Sequence, residues 1–86
     1  MRIDFHRHFD KSFAKLTNKQ KERFQERLTV FVKNFTAPEL NNHALRGRYQ
    51  GYRSINVTGD IRAIFIFHGP KQVEFVFIGS HHRLYR

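Results

Sequence analysis

The chain has 86 residues, in which 16 Lys and Arg outnumber 7 Asp and Glu and leave a net charge of +9 with the six His neutral. It contains no Cys, which excludes disulfides, thiolate metal sites and cysteine nucleophiles, and no apolar run approaches the roughly 18 residues of a membrane span. A chain this short fits one domain, residues 1–86, whose ten Phe and three Tyr supply a small core. The opening MRIDFHRHF is mixed in polarity and has no apolar stretch of the kind a signal peptide carries, so a cytoplasmic protein is expected. Residues 2–5 suit a short first strand. Phe9, Phe13 and Leu16 then recur at helical spacing and predict a first helix. Thr17-Asn18-Lys19-Gln20 fits a capping box. It opens a second helix over about residues 19–35, with Phe24, Leu28, Phe31, Val32 and Phe35 on one stripe and Pro38 as its stop.

Beyond Pro38 the pattern becomes extended. Asn41-Asn42 and Gly47 mark irregular chain, and a strand follows Gly51 and runs to about Thr58. Gly59-Asp60 predicts a turn. Residues 61–67 are apolar except for Arg62, as expected of a central strand, and His68-Gly69-Pro70-Lys71 turns the chain into a last strand over residues 73–78. The predicted fold is α+β, ordered β-α-α-β-β-β, with a mainly antiparallel four-stranded sheet covered on one face by two helices.

The charge makes a polyanion the expected partner. Ten of the sixteen cations are Arg, whose planar fork suits phosphate. A merely solubilising surface, or one that meets an acidic protein, is the plainer reading of the same charge. Arg62 carries its own signal, because a charged side chain on a central strand must reach solvent or a partner, and a concave sheet face would provide one. His81 follows a Gly-Ser exit from the last strand, where a side chain can face a groove, and imidazole is the usual proton-transfer group near neutral pH. The plain alternative is an exposed turn histidine. Asp60 could accept a proton or hold a neighbour, or simply form a turn. Tyr85 could stack on a base or anchor the tail. His81-His82 lacks a carboxylate companion, so no metal set and no cofactor is expected.

Three segments together resemble the bacterial RelE/YafQ group of type II toxins, and most closely its YafQ branch. They are His43-Ala44-Leu45-Arg46-Gly47, then Gly51-Tyr52-Arg53 leading to Asp60, then Gly79-Ser80-His81 with Leu84-Tyr85. The resemblance implies a RelE-like fold and a metal-independent endoribonuclease that cleaves mRNA, in many members in the ribosomal A site. It implies attack by the ribose 2′-OH on the adjacent phosphate, and a cognate antitoxin that holds the toxin inactive. His43, Asp60, Arg62, His81 and Tyr85 would be the catalytic candidates, His43 entering through the resemblance alone. Arg46, Arg48, Arg53, Asn56 and Arg83, with Lys19 and Arg23 of the long helix, would contact RNA or the ribosome. Two positions depart from the YafQ pattern: Asn56 stands where a catalytic His is usual, and Ile61 where a Trp follows the aspartate. The competing readings are a gyrase poison in the manner of the ParE branch, and a non-catalytic RNA-binding or degenerate toxin-fold protein.

Overall fold

A computed structural model describes the backbone of residues 1–84 and the side chains of residues 1–82. The strands and helices are β1 (Arg2–Phe5), α1 (Arg7–Ala14), α2 (Asn18–Lys33), β2 (His43–Ala44), β3 (Arg53–Asn56), β4 (Ile61–Gly69), β5 (Gln72–Ser80) and α3 (His81–Leu84). They build a five-stranded sheet in the order β1-β5-β4-β3-β2, in which β1 runs parallel to β5 and every other pairing is antiparallel. The four expected strands are all present. The fifth, β2, is two residues long and pairs with the free edge of β3; a pair of residues has no periodicity for a sequence to reveal.

The capping box forms as predicted: Gln20 N–H donates to Thr17 Oγ1 at 3.1 Å, and Thr17 N–H to Gln20 Oε1 at 2.9 Å. The far end of α2 differs from expectation. Asn34 leaves helical geometry, and its side-chain oxygen accepts from Thr36 N–H at 3.1 Å and from Thr36 Oγ1 at 2.8 Å. This Asx turn ends the helix before Pro38 can, and Pro38 instead opens a short 3₁₀ turn. The stripe is correspondingly narrower. Phe24 and Phe31 are buried, while Val32 lies at the helix margin, 51% exposed, and Phe35 falls beyond the helix end.

Phe75 of β5 sits at the centre of the core. Its ring centroid lies 5.4–5.9 Å from those of Phe5, Phe9, Phe24, Phe31 and Phe65, so β1, α1, α2 and β4 all meet on it. Where β1 ends, α1 takes over the flank of β5. Ser12 Oγ accepts from Ile78 N–H at 3.1 Å while donating back to its own helix. Residues directly opposite in antiparallel strands share a face, so the register sorts the sheet into two sides. Ile55, Ala63, Phe65 and Phe75 face the helices. The other side carries a smaller cluster to which neither α1 nor α2 contributes a residue. Leu45 and Ile64 are buried there under Tyr49, Tyr52, Val76 and Phe77. A register shift beside Ile64 and Phe65 sets Val76 and Phe77 together on this open side.

Candidate active site

The open face carries the polar groups in two adjacent rows. His43 of β2, Ser54 of β3, Ile64 of β4 and Phe77 of β5 lie across from one another, and the next row is Asn56, Arg62 and Gly79. β5 then ends at Ser80, and the chain turns into α3 with His81 at its start. The backbone carbonyl of Asp60 accepts from His81 N–H at 2.7 Å, so the β3–β4 turn is tied to that corner.

His43 and His81, far apart in sequence, line one open pocket of about 430 Å³ together with Ala44, Leu45 and Arg46. His43 Nδ1 lies 2.8 Å from the carbonyl of Asn41. A carbonyl only accepts, so Nδ1 carries the hydrogen and Nε2 is left as the basic nitrogen. The Asn41 backbone is left-handed, with φ 46°, which turns its carbonyl toward the ring two residues on. Arg62 is half-buried, and its Nη1 donates to the carbonyls of Thr58 at 2.9 Å and Ile61 at 3.2 Å. Those bonds steady the guanidinium through one terminal nitrogen of a five-donor group. Across from Arg62, Asn56 has a buried Oδ1 without a hydrogen-bond partner, and the fully buried Ser54 Oγ beside it is likewise unpaired.

The other sequence candidates are dispersed. Asp60 is exposed and lines a different cleft, with Ser12, Lys15, Gln20 and Ser80, while its backbone carbonyl holds the His81 corner. Arg53, an expected RNA contact like Asn56, pairs with Phe65 and so lies on the helix side, where Nε donates to Asn42 Oδ1 at 2.7 Å. Lys19 and Arg23 belong to the helical layer, across the sheet from the two histidines, and Arg23 is paired with Glu26 at 3.2 Å. Tyr85 and the Arg83 side chain lie outside the described residues. Among the described residues, no ion pair engages Arg46, Arg48 or Arg62, and no group of three or more His, Asp or Glu is placed to hold a metal ion.

Sequence reasoning passed over a second hollow on the open face, of about 480 Å³, lined by Tyr49, Tyr52, Ile64, Val76 and Phe77 with Arg48 and His8 among its walls. The loop that presents Arg48 and Tyr49 is bracketed by Gly47 and Gly51, at φ 67° and 94°, values that suit glycine. The signal was available in Arg46-Gly47-Arg48-Tyr49-Gln50-Gly51-Tyr52-Arg53, where three arginines surround two tyrosines.

The family model for YafQ, a bacterial toxin of type II toxin-antitoxin systems, matches residues 1–86. The chain belongs to the YafQ toxin family. Solved structures agree on the fold. YafQ from E. coli strain BL21(DE3) superposes with a TM-score of 0.80 at 23% identity over all of both chains. A chain of the E. coli DinJ–YafQ complex matches with a TM-score of 0.72 at 26% identity, again over all of both chains. A YoeB/ParE toxin from Agrobacterium tumefaciens matches with a TM-score of 0.77 at 15% identity, over 94% of this chain and 99% of its own. No curated protein matches the sequence. No helix among the described residues is long and apolar enough to cross a membrane.

Proposed function

We propose that this toxin is a metal-independent endoribonuclease that cleaves mRNA in the ribosomal A site and is held inactive by a cognate antitoxin. The observation that carries the reading is the convergence of His43 and His81 on one pocket at the edge of the Asn56–Arg62 row. Cleavage through the ribose needs a base for the 2′-OH proton, an acid for the departing 5′-oxygen and donors for the crowded phosphorane. In the proposed step the 2′-oxygen attacks phosphorus as its proton passes to one histidine. The bond from phosphorus to the 5′-oxygen breaks as the other histidine protonates that oxygen, giving a 2′,3′-cyclic phosphate and a 5′-OH. Arg62 offers its remaining donors to the phosphoryl oxygens. Asn56, where the YafQ pattern has a His, has no titratable proton and accepts or donates hydrogen bonds only.

The antitoxin reading draws support from the DinJ–YafQ complex and from a +9 surface suited to an acidic partner segment. A non-catalytic toxin-fold protein is the second reading, favoured by Asn56. The two part on mRNA cleavage mapped by primer extension, with and without translating ribosomes, for the wild type and His81→Ala. Cuts that need ribosomes and vanish in the variant are expected. Cuts on naked RNA would remove the ribosome from the reading, and a folded wild type that cuts nothing would leave the non-catalytic one.

A further inference from the structure

The hollow beneath Tyr49 and Tyr52 takes no part in the proton transfers proposed above, yet it adjoins them. Ile64, on its floor, is two residues from Arg62 on the same face of β4, a step of about 6.6 Å along a strand. Phe77, another wall, neighbours Gly79, which pairs with Arg62. A Cβ at Gly79 would fall 2.8 Å from the Phe77 ring, so only a glycine lets that ring lie across the sheet toward the Arg62 row.

The lining indicates what enters. Its walls are aromatic and aliphatic, no carboxylate is among them, and the groups that could be charged are Arg48 and His8. The Arg48 guanidinium lies over the Tyr49 ring at 6.0 Å, so a cation and an aromatic face are presented together. An apolar peptide side chain would use the walls alone. A flat ring tethered to a phosphate uses both the walls and the cation.

We propose that this hollow is a nucleobase subsite, where an unpaired base next to the cleaved phosphate stacks on the tyrosines while Arg48 holds its backbone. The presence of the strand rests on the endoribonuclease reading; the subsite itself is tested apart from cleavage. The full-length protein is titrated, under amide and methyl NMR, with a short 2′-O-methyl RNA that has no free 2′-OH to attack. Companion oligonucleotides carry an abasic site at each position in turn. The expected result is that RNA moves the Ile64, Tyr52 and Phe77 resonances together with Arg62, and that one abasic position weakens binding about 5- to 150-fold, the range one stacked base supplies. Tyr49→Leu and Tyr52→Leu, which keep apolar bulk and remove the aromatic face, should reproduce that loss for intact RNA and add nothing to it for the abasic one. RNA that moves Arg62 and leaves the hollow unchanged would overturn the subsite and leave the nuclease reading standing. Shifts in the hollow that grow with protein concentration and need no RNA would overturn it too, by naming a second copy as the occupant. RNA that moves no resonance would also overturn it, and ribosome-dependent cuts in the primer-extension assay would then keep the nuclease without the subsite.

Discussion

His43 reaches the common pocket from β2, and His81 from the start of α3 just past β5, with β3 and β4 lying between those two strands in the sheet. Loss of a positioned proton-transfer group costs about 10²- to 10⁴-fold in rate. His81→Ala, in an exposed side chain, is expected to lose cleavage on that scale with an unchanged circular dichroism melt; a folded variant that still cleaves removes His81 from the chemistry. Asp60 separates backbone from side chain. Because its carbonyl, rather than its carboxylate, holds His81 N–H, Asp60→Asn should reduce cleavage by less than about tenfold (under 1.4 kcal/mol). A larger loss at full stability would assign the carboxylate a direct part. Arg62→Ala should slow the chemical step more than it weakens ribosome binding, since a group that stabilises developing charge acts on the transition state. Equal losses in single-turnover rate and affinity would make it a binding residue. Arg62 was legible because a charge interrupts an apolar strand. The pocket that His43 shares with His81 was not, since 37 intervening positions separate them in sequence and only β2 pairing brings one toward the other.

At the scale of elements, α2 illustrates how local chemistry and packing divide the work. Its start is written in four residues, and the reciprocal Thr17–Gln20 bonds make Thr17→Ala worth about 1 kcal/mol of stability. Its urea midpoint should fall accordingly, and an unchanged midpoint would mean that tertiary contacts alone hold that end. The stop was misread because proline is the louder signal, yet Asn34 acts four residues earlier by binding Thr36. β3 shows the limit more sharply. Arg53 and Asn56 are both plausible RNA contacts as residue types, but they stand three positions apart on a strand with a two-residue period, so the sheet must send them to opposite faces.

Across the whole molecule, the sheet has two unlike sides: helices seal one with phenylalanine, and the other carries the candidate site. Phe75→Ala would open a cavity at the point where β1, α1, α2 and β4 meet, at a cost of about 3 to 5 kcal/mol. Small domains hold roughly 5 to 15 kcal/mol in total, so the variant should melt far below the wild type; a shift of only a few degrees would show that the rings repack. The +9 charge predicts RNA binding that weakens with salt along a straight log–log line, roughly one unit of slope for each phosphate neutralised. A flat dependence would mean that the charge is directed at an acidic protein instead.

The sequence by itself determined the two longer helices and the four longer strands in their order, the helix cap, the phenylalanine core and the family, because each depends on residues near one another or on a pattern carried along the chain. The tertiary structure alone decided which candidates share a site. It joined His43 to His81, set Asn56 beside Arg62, turned Arg53 to the helices and assembled the tyrosine hollow. The reason lies in strand register: a single-residue slip moves a side chain to the other face of a sheet, and register is set by pairing between segments that the sequence leaves far apart.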